Sequence, residues 1–368
     1  MHFDTFTFGF TFQCNLNCPY CYEKGYRGKD EFSMAEIEQY VYPAIKAVAP
    51  NNLDIDGGEP TVRWEDLLTF LGNVSSFETV KTVNICSNGI KLTEDKVRAV
   101  QKILGKDIFL VFSLSLDALS PREDTRAPQQ HDHQLRAIQL LRDMKQPLLL
   151  QTTVNKVNLP VMKDFLQNLR ERGLLVGLTP AYFSPPGIAL SRDEIRQVDI
   201  LRAEYALDPV LTVDQTPVPI NPKVWKRDLL PVFKAFEIDM CFGDPTCSSA
   251  VCVRANGDVK GCAIHNFVMG NIKEKNILEI YNQDYSQKIR NLEVGEPCGS
   301  CRYVKQCRGG CKVRAFQETG SYLGGVQSCY YQTPKDVPHP DEERLTQTYL
   351  KRVEMDNLGK YLASIGKQ

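Results

Sequence analysis

The chain has 368 residues, 42% of them hydrophobic and 24% charged, enough to bury one large core or two moderate ones. With 44 basic residues against 45 acidic, a net charge of -1 and no long basic run, it offers no electrostatic support for a nucleic-acid or anionic-membrane partner. No apolar run is long enough to span a bilayer, and the opening MHFDTFTFGF lacks a signal peptide's charged and continuous apolar regions, so a cytoplasmic protein is expected.

Apolar runs and amphipathic stretches alternate through the first half. The pattern predicts a strand at Thr5–Phe12, then the stretch FQCNLNCPYCYE, which places Cys14, Cys18 and Cys21 in a C-x3-C-x2-C array. A helix over Ser33–Val48 opens with Ser33 and Glu36 at capping-box spacing. Strand two, Leu53–Asp56, runs into Gly57-Gly58-Glu59-Pro60, with a helix over Trp64–Leu71. Strand three, Thr82–Cys86, runs into Ser87-Asn88-Gly89, with a helix over Thr93–Leu104. Strand four, Ile108–Leu116, carries Ser115 and Asp117 at its end, with a helix over His133–Met144. Leu148–Val154 and Leu174–Phe183 complete the strands, with helices over Leu159–Arg172, where Asn158 and Pro160 mark a start, and Ser191–Glu204. Most strands read as near-continuously apolar, as parallel strands covered on both faces do. Six such units imply an α/β fold with right-handed crossovers and chemistry at the carboxyl ends of the strands, where the polar residues named above collect.

Alternation stops near residue 205. A Pro-rich stretch leads into a cysteine-rich block, where VCVRANGDVKGC signals a hairpin turning on Asn256-Gly257. The tail beyond Pro340 reads as helical and solvent-facing. The expected division is 1–205, a bridge at 206–240, a cysteine-rich domain at 241–335 and a tail at 336–368.

Of the 13 cysteines, three lie near the start, nine fall between Cys241 and Cys329, and Cys86 stands alone. In reduced cytosol, metal binding is the main reason to accumulate thiols. The first trio could be a disulfide knot, a zinc site completed elsewhere, or a three-legged holder that leaves one coordination position open. A closed zinc site wants four ligands, and so does a closed four-iron cluster; three thiolates on such a cluster leave one iron free.

Cys14-x3-Cys18-x2-Cys21 with Tyr20 before the last cysteine resembles the signature of the radical S-adenosylmethionine (radical SAM) superfamily. Gly57-Gly58-Glu59-Pro60, Ser87-Asn88-Gly89 and Ser115-Leu116-Asp117 resemble its further motifs in order. The resemblance implies a partial (β/α)6 TIM-like barrel and a [4Fe-4S] cluster whose open iron binds SAM, which is cleaved reductively to a hydrogen-abstracting 5′-deoxyadenosyl radical. It assigns the SAM amino group to Gly57, Gly58 and Glu59, the carboxylate and ribose to the Ser115 and Asp117 element, and further SAM contacts to Ser87 and Asn88. Arg136 would pair with the same carboxylate, and the Tyr20 carbonyl would face the adenine. The later cysteines resemble the SPASM domain of peptide maturases. That likeness assigns one auxiliary [4Fe-4S] cluster to Cys241, Cys247, Cys262 and Cys311, and a second to Cys298, Cys301, Cys307 and Cys329; two structural zinc sites are the bland alternative. Either metal would organise this loop-rich block.

Cys86 reads as a small core residue, His265 as a loop histidine, and Cys252 as buried or as a hydrogen donor to a substrate radical. The resemblance implies a flavodoxin- or ferredoxin-type electron donor and a peptide or protein substrate oxidised at a side chain, with a crosslink as the product. A small molecule such as a sugar, nucleoside or tetrapyrrole precursor is the alternative, and an iron–sulfur electron carrier is the non-enzymatic one. Sulfatase maturation, producing formylglycine, is disfavoured because Ala263 stands where that branch carries an Asp. Few residues precede Cys14, so no fused N-terminal peptide-recognition domain is expected, which leaves a separate recognition protein or a leaderless substrate.

Overall fold

The computed structural model describes residues 5–182, 184–205, 221–224, 226, 250–291 and 293–354; Cys241, Cys247 and most of the bridging region lie outside them. The chain forms two compact units, Met1–Thr152 with Ser248–Gln283, and Thr153–Cys247 with Asp284–Gln368.

The first unit is built on β1 (Thr5–Thr11), β2 (Asn52–Gly57), β3 (Thr82–Ser87), β4 (Phe109–Ser115) and the start of β5 (Leu148–Val154), all parallel. Neighbouring strands run in the order β5-β4-β3-β2-β1, and β7 (Ala250–Val253), β8 (Asp258–Lys260) and β9 (Val268–Asn271) extend the sheet beyond β1. The strand β7 is itself parallel to β1, pairing Thr7 with Cys252, whereas β8 and β9 are antiparallel. The final residue of β5, Val154, accepts from Ala181, just past β6 (Val176–Pro180) in the second unit, at 2.8 Å. The architecture is thus mixed α/β with six parallel strands in its core, as the alternation predicts.

Crossover helices follow where they are expected: α1 (Met34–Glu36) continuing through a π turn into α2 (Tyr42–Val48), α3 (Trp64–Val74), α4 (Glu94–Leu104) and α5 (His131–Asp143) in the first unit. The second unit holds α6 (Met162–Glu171) and α7 (Arg192–Tyr205). Ser33 and Glu36 form the full capping box, with Ser33 N donating to Glu36 Oε2 at 2.9 Å and Glu36 N to Ser33 Oγ at 3.3 Å. Asn158 does not cap α6; its side chain turns back to the end of β5, donating to Thr153 O at 3.0 Å and accepting from Asn155 N at 2.8 Å.

Phe6, Phe8, Phe10, Ile55, Ile85 and Phe112 are buried, and Phe70 of α3 lies 5.4 and 5.7 Å from Phe8 and Phe10. Each such ring is worth about 1.5–3 kcal/mol relative to exposure. By the two-residue alternation of a strand, the opposite face carries Asp54, Asp56, Asn84, Cys86, Ser113 and Ser115. These are polar and mostly half-buried, and they bond to one another: Asn84 donates to Asp54 at 3.1 Å and accepts from Ser113 at 2.8 Å. The second face of the central strands is therefore largely polar, with Phe109, Val111 and Leu149 as its apolar members, a correction to the expectation of two apolar faces.

Two further expectations are corrected. Arg254 N donates to Asp258 O at 2.8 Å, so the hairpin loop holds three residues, Ala255–Gly257, with Gly257 at φ 91° supplying the left-handed position. The tail helix Glu342–Glu354 is not solvent-facing at its start. Leu345 is buried, and Glu342 accepts from Arg302 at 2.7 Å and Tyr303 at 2.5 Å. No helix among the described residues is long and apolar enough to cross a membrane.

Candidate active site

The carboxyl ends of β1 to β4 all reach the cysteine loop that follows β1. Gly58 N donates to Thr11 O at 2.7 Å and Glu59 N to Gln13 O at 2.8 Å, extending the β1–β2 pairing into the approach to Cys14. A Cβ on Gly58 would sit 2.1 Å from the Gln13 carbonyl and one on Gly57 2.5 Å from that of Thr11, so both glycines are required by the backbone itself. The Glu59 carboxylate is fully buried and accepts from Thr61 Oγ1 at 2.6 Å, Thr61 N at 3.2 Å, Ser87 Oγ at 2.8 Å and Asn88 N at 2.7 Å. It ties the end of β2 to the end of β3. Burial raises its pKa, while the donors oppose that rise. Asn88 then reaches the cysteine loop, its Nδ2 donating to Asn15 Oδ1 at 2.8 Å.

At the end of β4, Asp117 is fully buried. One oxygen accepts from the Tyr20 hydroxyl and the other from Arg126 Nη2 at 3.1 Å, and the Arg126 guanidinium lies 5.5 Å from the Tyr20 ring centre. Arg126 is a residue the sequence reading missed. The only hint is its place in a short polar loop after the Ser-Leu-Asp element, where Asp124 accepts from Arg126 N at 2.8 Å. Arg136 lies on the exposed face of α5, whereas Gln134 on the buried face donates to Ser115 O at 3.2 Å.

A second missed residue is Arg254, in the turn after β7. It is fully buried, donates to Asp56 Oδ1 at 3.0 Å and to Glu23, two residues past Cys21, and faces the Tyr22 ring. Gly9 makes room for it, since a Cβ there would lie 2.5 Å from Arg254 Cζ. Cys252 is buried beside it, and burial pushes its thiol up to about 12. Cys86 is half-buried on the polar face of the sheet. His265 N donates to Cys262 O at 3.0 Å.

The three loop thiols lie within electrostatic reach of one another. Burial pushes Cys18 up to about 11, with Cys21, Asp117 and Cys14 adding to the rise and Arg126 opposing it. Cys14 is raised by burial too and feels Glu59, Arg27 and Cys21. In the second unit the same holds for the second set: Cys307, pushed up to about 12 by burial, feels Cys298 and Cys301, and Cys329 feels Cys307. Three successive left-handed residues, Arg308, Gly309 and Gly310, turn the chain there, and Val326 N donates to Cys298 Sγ at 3.3 Å. Cys311 begins the helix Lys312–Thr319.

Among the described residues no three His, Cys, Asp or Glu side chains converge tightly enough to hold a single ion. A four-iron cluster takes one thiolate on each iron, so its ligands stand further apart, and its charge deprotonates them whatever their metal-free pKa. A cavity of about 400 Å³ opens beside Cys14, lined by Phe12, Gln13, Arg27, Lys29 and Glu31. Three soft donors on one braced loop, with the Arg126 guanidinium held against its second half and Arg27 near Cys14 to offset an anion, fit a three-thiolate cluster.

Residues 9–172 match the family model described as the radical SAM superfamily. The chain carries a radical SAM domain. Residues 241–308 of this radical SAM enzyme match the SPASM model, an iron–sulfur cluster-binding domain, and the pair of domains makes it an enzyme that binds SAM and iron–sulfur clusters. Among its relatives, the AdoMet-dependent heme synthase of Methanosarcina barkeri is 25% identical over 351 residues, 88% of this chain and 95% of that one. The mycofactocin maturase MftC of Mycobacterium tuberculosis is 23% identical over 346 residues, 87% and 80% of the two chains. Streptococcus suis SuiB, solved bound to its precursor peptide SuiA, superposes with a TM-score of 0.65 at 17% identity over 89% of this chain and 76% of that one, which is a likeness of fold.

Proposed function

We propose that this radical SAM/SPASM enzyme cleaves SAM reductively and oxidatively modifies a side chain of a ribosomally made peptide or protein, forming a crosslink. The reading is carried by the convergence on the first cysteine loop of Glu59 and Asn88 from the ends of β2 and β3, and of Asp117 from the end of β4. Cys14, Cys18 and Cys21 would hold the SAM-binding cluster, which when bound supplies an open iron and the electron for SAM cleavage. Gly57 and Gly58 keep the backbone flush against β1, and Ser87, Asn88, Ser115 and Asp117 hold the rim on which the nucleotide would rest. Cys298, Cys301, Cys307 and Cys329 would hold one auxiliary cluster, and Cys262 and Cys311 contribute to another with Cys241 and Cys247. Two closed clusters suit removal of a second electron from the substrate. A peptide substrate is supported by the names of relatives, since SuiB binds a precursor peptide and MftC is a maturase. The heme synthase likeness favours a second reading, a tetrapyrrole-class small molecule.

Anaerobic reconstitution with iron, sulfide, SAM and dithionite tests the shared step. The wild type is expected to release 5′-deoxyadenosine, and the Cys14→Ala, Cys18→Ala, Cys21→Ala triple variant to release none. Mass spectrometry of a short peptide encoded beside the gene should then show the loss of two hydrogen atoms. An unchanged peptide, with a porphyrin precursor altered instead, would establish the second reading.

A further inference from the structure

We propose that Arg126 is the positioning and potential-setting residue of the cluster held by Cys14, Cys18 and Cys21, a proposal that rests on the reading of that trio as cluster ligands. The position is fixed by two partners. Its guanidinium pairs with Asp117 at 3.1 Å, faces the ring of Tyr20, and is itself only 14% exposed. Tyr20 lies between Cys18 and Cys21, and its hydroxyl donates to the other oxygen of the same carboxylate. Arg126, Asp117 and Tyr20 therefore clamp the second half of the cysteine loop onto the end of β4.

Charge gives the clamp its second role. A cluster on three thiolates is anionic, and it would sit near two carboxylates that are fully buried, Asp117 and Glu59. Adding an electron to it is opposed by every buried negative charge and favoured by every buried positive one. Arg126 is the cation held against the Cys18–Cys21 half of the loop, paired with Asp117 at 3.1 Å and 5.5 Å from the centre of the Tyr20 ring. Arg27 is half-buried and lies beside the Cys14 end of the loop, where it donates to Asn17 at an exposed contact of 3.2 Å, whereas the Arg126 side chain faces a fully buried carboxylate. The buried guanidinium thus makes one-electron reduction by an external donor easier, and Asp117 fixes where it stands.

The test is a redox titration of the reconstituted holoenzyme, followed through the electron paramagnetic resonance signal that changes on adding SAM. Arg126→Gln removes the charge and keeps an amide donor. At a fixed poise its reduced-to-oxidised ratio should fall about tenfold or more, which for one electron corresponds to ~59 mV. Arg126→Lys keeps the charge and loses the planar fork, and should titrate close to the wild type. Asp117→Asn removes the opposing anion and should move the ratio the other way, which keeps the proposal testable if Arg126→Gln cannot hold a cluster. An unmoved potential in Arg126→Gln, equal shifts in the Gln and Lys variants, or a fall in Asp117→Asn would overturn it. A wild type with no SAM-responsive signal would sink the cluster assignment and this proposal together, whereas a signal at an unmoved potential would sink the proposal alone.

Discussion

Adding one methyl group at Gly9 should destabilise the protein more than its size suggests. An alanine Cβ there would lie 2.5 Å from Arg254 Cζ and 2.7 and 2.8 Å from its two terminal nitrogens. A guanidinium at the surface would swing aside, but Arg254 is fully buried and held by Asp56 at 3.0 Å and by Glu23. The methyl group must therefore break one of these pairs. Leaving a buried charge unpaired costs about 3–5 kcal/mol, and the lower chain entropy of alanine returns about 0.5–1 kcal/mol. The net loss is ~2–4 kcal/mol, which in a unit of about 150–250 residues lowers the melting temperature by roughly 5–15 °C. Gly72 is the comparison: it is exposed on α3 with nothing within 4 Å of the added carbon. Its replacement by alanine should stabilise the helix by about 0.5–1 kcal/mol. Thermal unfolding of both variants by circular dichroism separates the cases. A Gly9→Ala protein that melts as high as Gly72→Ala would refute the reasoning, and Arg254 would then not be pinned.

Asn88→Ala removes the 2.8 Å bond to Asn15 and should cost about 1–2 kcal/mol, seen as faster loss of iron to a chelator from the reconstituted protein; an unchanged rate would dismiss the contact. The Glu36 carboxyl is held down to about 2 by Lys273 and Ser33, below its ordinary 4.5, so its stabilising effect is present above pH 4.5 and is lost as pH falls through about 2. The melting-temperature deficit of Glu36→Gln should accordingly narrow across that window, and a gap independent of pH would contradict the sign. Cys301→Ser should lower the iron bound per chain on reconstitution, whereas Cys86→Ser, on the sheet face among Asn84 and Ser113, should not.

The residues that sequence reading reaches share one property: their partners are near in the chain or repeat at a fixed period. Phe6, Phe8 and Phe10 mark β1 by alternation, and Ser33 finds Glu36 three residues on. The polar face of the sheet escapes because Leu53, Ile55, Val83 and Ile85 make their strands read as apolar runs, although Asp54, Asp56, Asn84 and Cys86 alternate with them. Arg254 is unreadable for a different reason. Its two partners, Glu23 and Asp56, lie 231 and 198 residues away, and nothing local distinguishes it from a hairpin arginine on the surface. Arg126 falls between these cases, close to Asp117 in sequence but 106 residues beyond Tyr20. The glycines of Gly57-Gly58-Glu59-Pro60 were legible as a motif, yet their physical reason lies in the carbonyls of Thr11 and Gln13, which only the fold brings to them.

Both described cysteine sets are braced by charged and polar side chains. The loop of Cys14, Cys18 and Cys21 is braced by charged and polar side chains from four directions. Glu31 accepts from Phe12 N at 2.8 Å and Thr11 Oγ1 at 2.9 Å before the first cysteine, Asn88 grips Asn15, Asp117 holds Tyr20, and Arg254 holds Glu23 after the last. Each brace comes from outside the Cys14–Cys21 loop, three of them from residues just past the ends of β3, β4 and β7. Cys298, Cys301, Cys307 and Cys329 rest on a left-handed turn and a small core of Cys298, Ala315 and Val326, and the chain before Cys329 is held by Arg314, which donates to Ser328 O at 2.7 Å, and by Glu318, which accepts from Ser328 N at 3.0 Å. A site that must open one coordination position to a substrate needs its geometry imposed by the chain, because the metal alone would close its shell. A site that stays closed can let four metal–thiolate bonds do the shaping. On the proposed assignment, bracing on both sides of the first trio is what a site with one open position requires.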